Sequence, residues 1–341
     1  MRTIDARLDV IRNGAKLTEL ISVSAPSVRC NASAAIKTAL RATVLDDSNV
    51  NWITDRISPV LIIDGEENKL GEFLPATVTR NKDESGISTI TFEAYDKSWL
   101  IQTCLYGVRK LSAGVSYITA IELFLNECGV SLVLKTPNSA TLTSERTWEP
   151  ETNLLSVVNE LLAEINYNQL HFDANGYAVL SPKRIPTIGN VKHTIVSTDV
   201  KAMLLPNASQ TTDIFNAPNN FIVVCSNPDI DEPLVAEVSN TSAVSPLSIQ
   251  RRGRKVTKYV RVNNVASQEE LNEYAKNLLF ESTGYGETVQ IHTALRTNHG
   301  LNDVVALSYE PISGIYTESE WDMSLQAGGI MKHTLKRVVQ I

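Results

Sequence analysis

Apolar and polar residues alternate through most of the first hundred positions. Ile4, Ala6, Leu8 and Val10 keep the two-residue period of a strand with one face on a core, as do Leu40, Ala42 and Val44, and then Ile90, Phe92 and Ala94. Turn-forming clusters separate these runs: Asn13-Gly14, Asp46-Asp47-Ser48-Asn49, Asp64-Gly65 and Lys82-Asp83-Glu84-Ser85-Gly86. Strands returning at such intervals predict a sandwich or small barrel. At FEAYDKSWLI, residues 92–101, the period changes from that of a strand to that of a helix, with Tyr95-Asp96 at the seam. Two helices are then predicted. Ser116 caps the first, whose stripe is Ile118, Ile121, Leu125 and Cys128 and whose stop is Gly129; the second carries Leu154, Val158, Leu161 and Ile165 on one face. Two short apolar runs around Asp173-Ala174-Asn175-Gly176 read as a hairpin, completing a small α+β module.

Pro182, Pro186 and Gly189 lead into a third region. Phe221 to Cys225 reads as a strand, and Ser267 with Glu270 opens a helix near 267–282 through a capping box. Alternation returns at Val289, Ile291, Thr293 and Leu295. The chain closes with a hairpin in which Trp321, Met323 and Leu325 meet Met331, His333 and Leu335 across Ala327-Gly328-Gly329. At 341 residues the chain exceeds the usual size of one domain. The pattern predicts a β-rich α+β protein in three parts: a β unit over 1–97, an α+β module over 98–186, and a second β unit over 187–341. The two outer parts share a texture without a repeat in sequence.

Composition and charge narrow the function. Hydrophobic residues make up 43% and charged residues 20%, as in an ordinary globular protein. The net charge is −7, no third of the chain is basic, and the electrostatic footprint of a nucleic-acid binder is missing. The run Arg251-Arg252-Gly253-Arg254-Lys255 reads as a solvated loop. Cys30, Cys104, Cys128 and Cys225 lie far apart, which fits buried thiols made in a reducing compartment better than disulfides or a zinc site. The amino-terminal MRTIDARLDVIRNG lacks the apolar core of a secretory signal, and no apolar run is long enough to span a membrane. Synthesis in bacterial cytoplasm is the expectation.

Catalytic signatures are missing: no GxSxG elbow, HExxH helix, P-loop or CxxC pair occurs. Gly284-Tyr285-Gly286 lacks the context and third glycine of a dinucleotide loop and reads as a connection needing positive φ. His171, His193, His292, His299 and His333 never fall at helical ligand spacing, so no metal site is expected from the sequence, although the fold could bring distant partners to His299. Asp229-Ile230-Asp231-Glu232 reads as a turn rather than a calcium loop. The expectation is no catalytic residue, no metal and no cofactor, hence a protein that acts through its surfaces.

A strand ending in Ala94-Tyr95-Asp96 and running into Lys97-Ser98-Trp99-Leu100 resembles a recurring join in baseplate hub proteins of contractile phage tails and phage-tail-like bacteriocins (tailocins). Asn51 to Ile57 and Leu70-Gly71-Glu72-Phe73 upstream, the two helices and the Phe172-to-Tyr177 hairpin, Asp213 to Asn216 with Asn220 to Val224, and finally His299 to Val305, Gly314-Ile315-Tyr316 and Met331 to Arg337 follow that family's order from about residue 4 onward. The resemblance implies two tube-like β domains flanking an inserted module, and a homotrimer that presents six similar units to the sixfold tail tube above and a threefold seat to a spike or needle below. It implies assembly in a virion or tail-like particle, with contact to a tape-measure protein. No lysozyme-like, peptidase-like or needle-like region accompanies the match, so the expectation is a structural protein rather than an enzyme. Two other functions stay open: a cell-wall or glycan-binding tail module, which would need Trp52, Trp99, Trp148 and Trp321 at the surface, and a peptidoglycan hydrolase with facing carboxylates.

Overall fold

The long strand Ile312–Ser324 organises the molecule. Along one edge it pairs antiparallel with Ile330–Arg337, and its other edge is divided: Ile312 to Thr317 pair with Val304–Tyr309, while Glu320 to Ser324 pair with Ser27–Asn31. The first and last regions of the chain thereby enter one ten-stranded sheet, running from Ser209–Thr212 through Glu287–Ala294, Ile330–Arg337, Ile312–Ser324, Ser27–Asn31, Thr38–Leu45 and Ser88–Tyr95 to Leu74–Lys82. Val304–Tyr309 and Val191–Val196 branch from it, the latter pair parallel. A computed structural model gives this architecture and describes residues 2–198, 203–213, 215, 217–226, 232–243, 245–262, 264–265, 267–285 and 287–338.

A four-stranded sheet, ordered Ala15–Leu20, Ile4–Arg12, Arg56–Ile63, Glu66–Lys69, lies over the amino-terminal part of the large one. Leu8, Val10, Ile57 and Leu61 from the small sheet share a core with Val28, Leu40, Ile90 and Phe92, and also with Trp321, Met323 and Met331 from the carboxy-terminal hairpin. The Asn13-Gly14 and Asp64-Gly65 turns close two-residue hairpins with φ positive at both positions, which is why these residue types stand there. A second core joins Ile195, Val289, Ile291, Val305, Tyr316 and Leu335. The helix Gln268–Tyr285 lays Leu271 and Ala275 on Val223 and Ala236 of a three-stranded sheet.

The two helices predicted for the middle of the chain share a core. Helices Tyr117–Glu127 and Leu154–Glu164 bury Ile118, Ile121, Leu125, Leu154, Val158 and Leu161 together, with Ile165 and the hairpin residues Phe172 and Ala178. The chain is β-rich α+β, as the pattern predicts. One helix boundary moves: the helix expected near 267–282 runs to Tyr285, so Gly284 and Tyr285 are helical rather than a loop, and Gly286 lies outside the described residues.

At the seam, Asp96 stands just before the N-cap, Lys97, and ties the two sides of the junction together. Its Oδ1 accepts the Ser98 amide (2.8 Å), and its Oδ2 accepts both the amide and the hydroxyl of Thr38 (2.9 and 2.7 Å) on the neighbouring strand. The helix it opens is one turn, Ser98–Ile101. Because Asp96 is buried, Asp96→Ala leaves two amides without acceptors and is expected to cost about 3 kcal/mol, read as a lower midpoint in urea unfolding. Asp55 is a second buried anchor, accepting from Arg12 Nε (2.8 Å), Arg12 Nη2 (2.7 Å) and the Asn51 amide (2.8 Å). The Arg12 hydrogen bonds hold its carboxyl below the ordinary 3.8. A lowered folded pKa means stability that is present above that ordinary value and lost as pH falls through the folded one. Arg12→Met is expected to flatten the fall in unfolding free energy between neutral pH and about pH 3; an unchanged slope would contradict the assignment.

Candidate functional site

Polar contacts, rather than a shared core, seat the helix pair and its hairpin on the sheets and on the long helix. Lys97 Nζ reaches Glu72 (2.8 Å) and the carbonyl of Gly176 (3.1 Å) at the tip of the module's hairpin. Lys37 donates to Gln169 Oε1 (2.6 Å) and to the carbonyls of Ala32 and Ala34; burial lowers its pKa. Lys183 pairs with Glu281 (2.9 Å) on the long helix. That helix begins with the Glu270 amide donating to Ser267 Oγ (3.2 Å), and Asn166 Nδ2 donates to the carbonyl (2.9 Å) and carboxylate of Glu270. The Lys37 and Lys183 contacts border a cleft of about 730 Å³ in which Lys37, Lys183, Lys336 and Arg337 face Gln169 and Glu281.

Beside this cleft the fold gathers three of the five histidines. His299 and Asp303 come from the loop between Glu287–Ala294 and Val304–Tyr309, where Asn298 and Asn302 take left-handed φ of 62° and 57° to bend the chain back. His193 comes from the branch strand, and Glu318 and His333 come from the two paired strands of the large sheet. The register of those strands shifts between Glu318 and Glu320. This bulge changes which residues face inward: Tyr316 and Glu318 are buried before it, Trp321 and Met323 after it.

Glu318 thus lies buried with its Oε2 2.6 Å from His299 Nδ1 and its Oε1 on His333 Nδ1. Burial alone would raise the Glu318 pKa, but the hydrogen bonds from the two imidazoles outweigh it and hold the group below its ordinary value. An ionised carboxylate only accepts, so both Nδ1 atoms carry protons. His333 Nε2 meets Thr293 Oγ1 at 2.8 Å. The His299 ring stacks on His193, centroids 3.8 Å apart and planes 3° from parallel, and burial lowers the His299 pKa. Asp303 Oδ2 accepts from the Gly300 amide (2.6 Å) and Lys192 Nζ (2.9 Å) and lies 3.2 Å from His193 Nε2. Burial would raise Asp303; the hydrogen bonds from His193, Lys192 and Gly300 instead bring it down to about 2.

Sequence reasoning singled out no site residue and did not find this cluster, because its members lie on separate strands and a loop, brought together by pairing over long stretches of chain. The local trace was the short His299-to-Asp303 loop. His171 stays apart, its Nδ1 3.0 Å from the Gln169 carbonyl. The basic run is largely occupied with its own surroundings: Arg251 donates to the Ala243 carbonyl (3.0 Å), Arg252 to that of Ala217 (2.5 Å), and Lys255 pairs with Glu237 (3.3 Å). Cys30 and Cys225 are buried as expected, but Cys128 is half-buried and Cys104 exposed. Trp321 (4%) and Trp148 (7%) are buried, whereas Trp99 is 41% exposed and packs its ring on Tyr95. Asp229 to Asp231, and Ile214 and Asn216 of the Asp213-to-Asn216 segment, lie outside the described residues. Among the described residues no helix is long and apolar enough to cross a membrane.

No protein-family model and no curated protein matches the chain. Solved structures do match. The 43 kDa tail protein of prophage MuSo2 from Shewanella oneidensis is 12% identical with a TM-score of 0.68, covering 98% of each chain. A tail protein from Neisseria meningitidis MC58 is 11% identical at a TM-score of 0.70, covering 98% of this chain and 97% of its own. The Escherichia coli c3393 protein, a component of the type VI secretion system described as similar to the T4 bacteriophage tail proteins gp27 and gp5, matches at 8% identity and a TM-score of 0.51 over 98% of this chain and 77% of its own. At these identities the likeness is one of fold: the chain has the β-rich fold of phage tail proteins.

Gly176 is where the module's seat is tightest. Its φ is +78°, and an added Cβ would lie 2.7 Å from Lys97 Nζ and 3.1 Å from Glu72 Oε2. Gly176→Ala is expected to cost about 1–2 kcal/mol from the left-handed backbone alone and to part Lys97 from Glu72, read as a lower thermal midpoint and faster proteolysis between the module and the large sheet. A variant as stable as the parent would show the contact to be dispensable.

Proposed function

We propose that this chain is the structural hub of a contractile tail or tail-like injection device, a homotrimer that joins a sixfold tail tube to a threefold spike or needle. The observation that carries the reading is end-to-end correspondence in fold with two tail proteins, over 98% of this chain and nearly all of each of theirs. The likeness to a type VI secretion component described as similar to T4 gp27 and gp5 supports the same setting.

In this reading residues 1–97 and 187–341 act as two tube-like units and 98–186 as a module inserted between them. Three chains then offer six β units to the tube. Leu74–Lys82 ends the large sheet and Ala15–Leu20 and Glu66–Lys69 end the small one, leaving edges that neighbours in a ring would cover. A net charge of −7 keeps an exiting tape-measure protein or DNA from being held by charge attraction. The role is non-enzymatic. Among the described residues the carboxyl raised by burial, Glu164, is held by Arg146 and by Tyr117 Oη (2.7 Å) beside the helix pair, which offers a hydrolase no open acid there. With Trp148 and Trp321 buried, a glycan groove lined by the tryptophans is not supported either.

Co-expression with the tail tube and spike proteins, followed by cryo-electron microscopy of the assembly, is expected to find three copies of this chain between the sixfold and threefold components. Six copies, or a single copy on the outside of the particle, would overturn the hub assignment. Purified protein is expected to leave peptidoglycan intact in a zymogram.

A further inference from the structure

His299 holds an atom that the fold leaves in an unusual state. Its Nδ1 proton is committed to Glu318, so Nε2 presents a bare lone pair. The side chain is fully buried, and no donor among the described residues reaches Nε2. Burying an acceptor with no partner is costly in a folded protein. A carboxylate that donates nothing, takes the far nitrogen of an imidazole and turns the other nitrogen into a ligand is the usual outer partner of a metal-bound histidine.

We propose that His193, His299 and Asp303 form a binding site for a first-row divalent transition metal of the zinc class, with Glu318 as the positioning residue for His299. The ligand atoms of the three residues lie within 4.8 Å of one another. Bonds of about 2.0–2.2 Å require them to close in further, which side-chain rotation supplies. To ligate, His193 releases to solvent the Nε2 proton that it shares with Asp303; the stacked His193 and His299 rings splay so that both lone pairs converge, and Lys192, half-exposed, swings from Asp303 into solvent. Two imidazoles and one carboxylate suit zinc, cobalt or nickel rather than calcium or magnesium, and three protein ligands leave a position for water. His299, Glu318 and His333 also lie close together, but both Nδ1 atoms already face the carboxylate, which makes that group the orienting shell. The metal would join the branch strand Val191–Val196 and the 298–303 loop, and through Glu318 the long strand Ile312–Ser324, as a staple independent of whether the protein is a hub.

The test uses the full chain, stripped with a chelator and titrated with Zn2+ against a chromophoric competitor, with thermal unfolding and the visible spectrum of the Co2+ form as further readouts. One equivalent is expected to bind, to raise the thermal midpoint and to give Co2+ the intense bands of a low-coordinate site. His299→Gln and Asp303→Asn should each abolish binding, Glu318→Gln should weaken it about 10–100-fold, and His171→Gln should leave it unchanged. No uptake of Zn2+, Co2+ or Ni2+, or uptake indifferent to His299→Gln and Asp303→Asn, overturns the site. Should those variants fail to fold, Lys192→Ala decides: it removes a competing cation from Asp303, so affinity must rise, and an unchanged affinity counts against the proposal.

Discussion

The divided edge of Ile312–Ser324 is the constraint on which the rest depends. One strand serves two neighbours in succession, and the second of them, Ser27–Asn31, comes from the other end of the sequence. The carboxy-terminal hairpin can therefore bury Trp321 and Met323 only against strands that precede it by hundreds of residues, in a core shared with Val28 and Leu40. The outer regions share one sheet and one core. A sheet of such long-range pairings pays its loop-closure entropy before the contacts form, which couples the folding of the first and last regions.

Changing partners along one strand has a local consequence. The bulge near Ser319 turns Glu318 inward, where a carboxylate is tolerated because two imidazoles solvate it. Those imidazoles are delivered by the partner strand and by a loop bent through left-handed asparagines. The histidine–carboxylate cluster is thus a product of sheet geometry: shift the register by one residue and Glu318 and His333 move to the other face. A metal at His193, His299 and Asp303 would add a cross-link where the branch strand is held by a single parallel partner.

The inserted module relates to the sheet differently. It folds around its own helix pair, and its junction is built from Lys97, Lys37, Lys183 and Asn166, each reaching backbone oxygens or acidic and amide side chains across the boundary. Such contacts fix orientation with little apolar burial. In the proposed hub, a region with its own core, tethered by polar contacts, would keep its shape while parts around it move.

The sequence by itself determined the period of each element. Strands at 4–12, 38–45, 88–95 and 330–337, both module helices and the Asn13-Gly14 and Asp173-to-Gly176 turns are local events, dictated by side-chain spacing and by which residues accept positive φ. The order of these elements also carried the resemblance to tail proteins. Only the tertiary structure decided which strands pair, and so joined residues 27–31 to 320–324, gave Asp96 its second role on Thr38, left Trp99 in solvent and brought His193, His299, Glu318 and His333 together. A strand's alternation says that one face is buried but nothing about what lies opposite. Pairing is settled by cross-strand packing and register between segments far apart in the chain, which no window of neighbouring residues contains.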